Sequence, residues 1–246
     1  MSSITQPKFR HNRTKSIILK RMSESVSAVL EQLKSMANPD NVAGMARFGI
    51  NPRQTLGISI YDLRKIAKKI GVDHNLALVL WDSGYHEARI LASYIADPQK
   101  VTEDLMETWV ADFDSWDTCD QVCGLFGSTP YAYSKAIQWA ERSEEFVKRA
   151  AFALMAELAW HDKSASDEQL EQFFPVIARH ATDERNFVKK AVNWALRNIG
   201  KRNQRLNRLA IETAEAIQKI PSKSARWIAS DALRELKSEK VQNRLR

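Results

Sequence analysis

An all-α solenoid of stacked antiparallel helix pairs is predicted by three observations on this chain of 246 residues. The phrase Phe146-Val147-Lys148-Arg149-Ala150 returns as Phe187-Val188-Lys189-Lys190-Ala191, 41 residues later. A weaker echo runs Ser224-Ala225-Arg226-Trp227-Ile228, and its Ala232-Leu233-Arg234 matches Ala195-Leu196-Arg197 at a spacing of 37. Eight Gly and seven Pro are too few for many short strands and tight turns. Apolar residues recur at helical spacing along the chain, with no credible strand. A recurrence near 40 residues made of helices is the mark of a HEAT/armadillo-like superhelical solenoid. A hydrophobic content of 44% suffices for a substantial core. No stretch rich in Gly, Ser or Pro divides the chain, so residues 22–246 read as a single repeat domain behind a basic, flexible arm at 1–21.

The elements follow in order. Val26, Val29, Leu30 and Leu33 predict a helix from Ser23 to Ala37, ended by Asn38-Pro39-Asp40. Gly49-Ile50-Asn51-Pro52 and Leu56-Gly57-Ile58 read as loop. Ile60 opens a helix closed at Gly71, Asn75–Trp81 is a short one, and His86–Ile95 is stopped by Asp97-Pro98. Val101–Phe113 and Thr118–Phe126 follow, separated by Asp114-Ser115-Trp116-Asp117. A helix from Thr129-Pro130 reaches Glu141, and Ser143 is the expected N-cap of the helix through Trp160. Asp167–Thr182, Asn186–Ile199, Asn203–Ile220 and Ser224–Lys237 complete about a dozen helices.

Charge is unevenly placed. The net charge is +7. Residues 1–21 carry six bases and no acid, 22–123 carry nine bases against fifteen acids, and 185–246 carry sixteen bases against five acids. Such asymmetry points to a face built for a polyanion, nucleic acid or an anionic surface. Cys119 and Cys123 stand one helical turn apart without a second Cys or His cluster, so they read as buried reduced thiols, with no metal site expected. Five scattered histidines form no ligand spacing. No apolar run approaches the roughly 20 residues of a membrane span. The arm is basic and acid-free, and the compartment expected for the chain is the cytoplasm.

The basic phrase sits where helix stability alone would not put it. Cations near a helix start oppose the positive end of the macrodipole, so they ask for an anion. Val147, Ala150, Ala151, Leu154 and Leu158 recur as a buried stripe, leaving Lys148 and Arg149 beside unpaired backbone N–H groups. Lys189 and Lys190 repeat this, and Lys223 and Arg226 repeat it approximately. Cations at helix N-termini make phosphate sites, and stacked repeats would set them roughly 10 Å apart. Arg197, Lys201 and Arg202, with Arg205 and Arg208, extend the positive surface. The same row could serve a scaffold for acidic protein tails.

Opposite in sign is the stretch between Lys100 and Lys135, which holds Glu103, Asp104, Glu107, Asp112, Asp114, Asp117 and Asp120 and no base. Asp114, Ser115 and Asp117 are N-cap candidates there. Trp116 and Asp120 are four apart and share a face if the turn is helical. An indole beside a carboxylate suits a flat, positively charged group, the ring face attracting the cation and the carboxylate balancing developing charge. Trp194, two turns into the helix of the second basic phrase, is expected to project toward the same groove.

In combination these pieces resemble the AlkD-type DNA alkylation-repair glycosylases, a family of HEAT-like solenoids. The matching residues are Leu56-Gly57-Ile58 followed by Leu63-Arg64, then Trp116-Asp117-Thr118-Cys119-Asp120, Phe146-Val147-Lys148-Arg149-Ala150, and Lys190-Ala191-Val192-Asn193-Trp194-Ala195-Leu196-Arg197, over about residues 25–240. The resemblance implies a monomer that excises cationic alkylated purines, such as 3-methyladenine or 7-methylguanine, from duplex DNA without metal or organic cofactor. It carries a catalytic cleft over to Trp116, Asp120 and Trp194, with Arg149 assisting. An N-alkylated purine is already cationic, so its glycosidic bond is weakened before the enzyme acts, and a carboxylate would stabilise the charge that develops on the sugar. One departure stands out. The family commonly has a Tyr ahead of the Leu-Gly segment, where this chain has Ala43-Gly44-Met45-Ala46-Arg47-Phe48. The alternative functions are therefore a non-catalytic binder of damaged or bent DNA, or a protein-interaction scaffold for acidic partners.

Overall fold

The computed structural model describes residues 26–245. The arm at 1–21 and the start of the first helix at Ser23 lie outside the described residues. The expected HEAT/armadillo-like, all-α architecture is the one observed, with fifteen α-helices and one 3-10 turn among the described residues. Two units are distinguished. The first takes residues up to Phe48 and Pro52–Asp97; the second takes Gly49–Asn51 and Pro98–Arg246.

In the first unit, residues 26–35 (α1) precede α2 (Pro39–Arg47), α3 (Ile60–Ile70), α4 (His74–Asp82) and α5 (His86–Ile95). Helix α2 fills a stretch to which the sequence pattern assigns no element. Asn38 accepts from the Asn41 backbone N–H and Pro39 occupies the first turn, so the Asn-Pro-Asp signal read as a stop is also a start. Helix α5 packs against α3 and α4.

The Leu-Gly-Ile loop owes its shape to a buried acid. Glu87 is fully buried and accepts three backbone N–H groups, from Leu56 at 2.8 Å, Gly57 at 2.6 Å and Ile58 at 3.2 Å. Asn41 Nδ2 donates to the Gly57 carbonyl at 2.9 Å. Gly57 has φ +79°, and a Cβ there would meet the Asn38 carbonyl oxygen at 2.3 Å, so only glycine fits.

The second unit contains α6 (Glu103–Ala111), α7 (Trp116–Phe126), α8 (Ala132–Ala140), α9 (Glu145–His161), α10 (Asp167–Glu171), α11 (Phe173–His180), α12 (Asn186–Gly200), α13 (Gln204–Gln218), α14 (Lys223–Leu236) and α15 (Glu239–Leu245). Helices α7, α9, α12 and α14 touch in that order as one row, and α8, α11 and α13 touch as a second row behind it. The 41-residue repeat is visible as direct contact, because Phe146 and Phe187 pack ring against ring at 5.7 Å. Helix α9 lies at the centre, and its Val147, Ala150, Ala151, Leu154 and Leu158 are buried as the spacing predicts.

Three further differences from expectation concern the second unit. Asp167–Thr182 is two helices, because Pro175 has no N–H to offer the Glu171 carbonyl. Ser143 does not cap α9; its hydroxyl bonds the Glu144 carboxylate at 3.3 Å, and Glu144 takes the cap position without a side-chain cap bond. Helix α15 carries too little apolar periodicity to be read from sequence, burying only Val241.

The acidic stretch is mostly structural in its first half. Glu107 accepts from the buried Lys135 Nζ at 2.8 Å and from Trp139 Nε1 at 2.8 Å, tying α6 to α8. Phe126 packs against Trp109, Phe113 and Trp139 at 5.7–6.4 Å beneath it. No described helix is long and apolar enough to cross a membrane.

Glu87→Ala would leave three loop N–H groups without their acceptor, so we expect unfolding to become easier by about 2–4 kcal/mol. A drop in the urea midpoint measures it. Gly57→Ala should lower the midpoint as well, through backbone strain.

Candidate functional site

Helix α7 begins two residues earlier than expected, which puts Trp116 and Asp120 within one helix and on one face. Of the three cap candidates, Ser115 occupies the N-cap position but makes no side-chain cap bond. Its hydroxyl instead accepts the Asn51 backbone N–H at 2.9 Å, and Asp114 accepts from Asn51 Nδ2 at 2.7 Å. Asp117 turns its carboxylate onto the Thr118 N–H. Residues Gly49–Asn51 thus anchor the start of α7, and Gly49 lies so close to Phe187 that a Cβ would approach its ring to 2.3 Å.

Asp120 meets Arg149 of α9 in a two-pronged pair, Nε to Oδ1 at 3.0 Å and Nη2 to Oδ2 at 2.7 Å. The third guanidinium nitrogen donates to the Phe187 carbonyl of α12 at 2.7 Å. The same guanidinium lies 5.8 Å from the centre of the Trp116 ring. One side chain therefore joins the carboxylate, the indole and the next repeat. The Arg149 side chain is 7% exposed and that of Asp120 16%, so the pair is largely removed from water.

Burial pushes the Asp120 carboxyl above the ordinary aspartate value, with Arg149 pulling against it and the like charge of Asp117 adding to the rise. Burial works against the charge of Arg149 too, but Asp120 beside it outweighs that and holds the guanidinium firmly protonated. We read the couple as an ion pair at neutral pH, since both Arg149–Asp120 hydrogen bonds are short and well formed. Cys119 and Cys123 are buried behind it, their sulfurs against the Phe146 and Ala150 carbonyls. Burial raises the Cys123 thiol well above its usual value, which makes it unreactive.

Trp194 lies on α12, half-buried, seven residues beyond Phe187. Seven residues are nearly two full turns, so Trp194 shares the Phe187 face about 10 Å farther along the axis.

The twelve residues singled out from sequence separate into groups. Trp116, Asp120 and Arg149 form the contact just described. Lys148 lies 3.9 Å from Asp183. Arg197 pairs with Glu235 at 2.8 Å and Asp231 at 3.5 Å, and Lys201 pairs with Glu235 at 2.9 Å. Arg202 donates to the Ala159 and Asp162 carbonyls at 3.2 and 2.6 Å, fastening the end of α12 to the end of α9. These four spend their hydrogen bonds or charge inside the protein. Lys190, Lys223 and Arg226 are exposed, and Lys189 lies over the Trp227 ring at 5.1 Å. Sequence reading missed the Phe187 carbonyl and Asn51, because a backbone acceptor and a lone loop amide have no pattern to detect. The return of Phe146 as Phe187 was the one available signal. Among the described residues no group of three or more His, Cys, Asp or Glu could hold a metal ion.

A family model described as DNA alkylation repair enzyme matches residues 29–236, from α1 to the end of α14. An uncharacterized protein of Listeria innocua is 23% identical over 194 residues, covering 77% of this chain and 84% of its own. A solved structure is described as belonging to a new family of proteins related to the HEAT-like repeat DNA glycosylases with affinity for branched DNA structures. It matches with a TM-score of 0.75 at 20% identity, covering 89% of this chain and 95% of its own, and so shares the fold. With the match running through both units and across Trp116, Asp120 and Arg149, this chain belongs to the DNA alkylation repair enzyme family.

Proposed function

We propose that this protein is a DNA glycosylase that hydrolyses the N-glycosidic bond of cationic alkylated purines in duplex DNA. The observation that carries the reading is the Trp116–Asp120–Arg149 contact, a half-buried indole and a largely buried carboxylate held together by one guanidinium. Membership of a DNA alkylation repair family supports the substrate class.

The chemistry starts from a base that already carries positive charge. As the bond from C1′ to the purine breaks, its electron pair leaves with the base, which becomes neutral, and positive charge passes to the deoxyribose. A carboxylate at that point stabilises the sugar cation and orients the water that adds to C1′. The water proton is released as the new C–O bond forms, and Asp120 is assigned to accept it. Trp116 offers its ring face to the cationic sugar. Arg149 is the positioning residue, keeping Asp120 ionised in a site whose burial would otherwise favour the acid form. Trp194, on the Phe187 face of α12, is assigned to the far wall of the cleft. Lys190, Lys223 and Arg226, which remain exposed, are assigned to the phosphate backbone, with Lys189 beside them.

A second reading has its own support. The two-pronged Arg149 pair cancels much of the Asp120 charge, and the Ala43–Phe48 stretch has no Tyr. Both features suit a protein that binds damaged or bent DNA without cutting the bond.

Release of 7-methylguanine from methylated duplex DNA separates the two. We expect release by the wild type and a loss of about 10²-fold or more in Asp120→Asn, the scale of removing one electrostatic stabiliser. Retained DNA binding with no release by the wild type would select the second reading. The ionised form of Asp120 is the active one and its pKa is raised, so activity should fall with decreasing pH sooner than for an ordinary aspartate. Arg149→Gln removes the opposing cation, so the acid limb of the pH–rate profile should move to higher pH.

A further inference from the structure

The positive charge at the α12–α14 junction is divided along its length. Toward the C-terminal ends, Asp231 and Glu235 of α14 neutralise Arg197 and Lys201 of α12, and Asp231 also accepts from Asn193 Nδ2 at 2.7 Å. Toward the N-terminal ends no acid among the described residues takes that place. The residue that faces α12 there, four before Asp231, is Trp227, and Lys189 covers its ring at 5.1 Å. Trp227 is 41% exposed, although α14 buries Ala225, Ile228 and Ala229 around it. Lys223 and Arg226 are exposed on the same face of α14, and Lys190 is exposed beside Lys189. Among the described residues none of Lys189, Lys190, Lys223 or Arg226 is paired with a carboxylate. An exposed indole with a lysine over its ring and exposed cations at neighbouring positions of α12 and α14 concentrates positive charge around a flat apolar surface. It fits a ligand that has a flat ring and negative charge at once.

We propose that Trp227 is a stacking platform for an unpaired nucleotide base, with Lys189, Lys190, Lys223 and Arg226 holding the phosphates on either side of it. The proposal rests on the DNA-binding reading above and adds a second contact, separate from Trp116 and Asp120. Every base offers a π face, so such a platform selects strands by exposed bases rather than by sequence. In an intact duplex the bases are stacked on each other and the phosphates alone are available. A blunt duplex would therefore use the cations and leave the indole idle. DNA with a single-stranded extension or branch would use both. An acidic peptide would use the charges but has no reason to need an indole.

The test is equilibrium binding of the full-length protein to three probes of equal length: a blunt duplex, the same duplex with a single-stranded extension, and poly-glutamate. The wild type should favour the extended probe. Trp227→Ala should weaken binding to that probe by about tenfold, the scale of losing one stacked base, and leave the blunt duplex within about twofold. Trp227→Phe, which keeps a ring, should recover most of the loss. Lys190→Gln and Lys223→Gln should weaken both DNA probes and each lower the salt slope by about one. Equal affinity of Trp227→Ala and wild type for the extended probe overturns the stacking platform while leaving duplex binding intact. Wild-type binding to poly-glutamate alone overturns it in favour of an acidic peptide. Failure of the wild type to bind either DNA removes the underlying DNA-binding reading as well.

Discussion

The second unit is organised around a single guanidinium. Arg149 reaches back to Asp120 on α7 and forward to the Phe187 carbonyl on α12, so it bonds three successive helices of one row. Its planar fork is what makes this feasible, since a lysine has neither the geometry for a two-pronged carboxylate pair nor a nitrogen left for the next repeat. A largely buried cation of this kind is tolerable only when its bonds are made. The requirement locks the spacing of the row at the place where Trp116 and Asp120 must stand.

The repeat explains why one residue can do this. Contacts between α9 and α12, and between α12 and α14, recur at a separation of 38 residues. Arg149 meets Phe187 at that separation, Lys189 meets Trp227, Asn193 meets Asp231, and Arg197 meets Glu235. The same step along the row is therefore filled by different chemistry. At one step it secures a carboxylate against an indole, at the next it leaves an indole under a lysine, and farther along it neutralises charge outright. A repeat of fixed geometry has been specialised by side-chain replacement at equivalent positions.

Stability and function are partitioned in the same way. Carboxylates that are fully committed, such as Glu87 in its loop and Glu107 beneath Lys135 and Trp139, tie backbone or helices together. Asp120 differs because burial lifts its pKa although Arg149 bonds both of its oxygens. A carboxylate whose charge is held against burial by one cation, at the meeting of three helices, is a better candidate for chemistry than one committed to backbone.

The sequence alone was enough for the helical class and the repeat, because apolar spacing and a returning phrase are properties of the chain itself. It was enough, too, to bring Trp116 and Asp120 together, four residues apart on one helix, whereas Arg149, expected beside Lys148 at a phosphate site, is buried against Asp120 and the Phe187 carbonyl instead. The boundaries it missed were those where one signal serves two ends, as Asn38-Pro39 does, or where a helix such as α15 buries almost nothing. Which cations remain available was settled only in three dimensions. Lys201 and Lys190 look alike in the chain, and they differ because Glu235 arrives beside one from another helix and, among the described residues, no acid pairs with the other. Charge is written into the sequence one residue at a time, whereas its neutralisation depends on partners some 34 to 38 positions away.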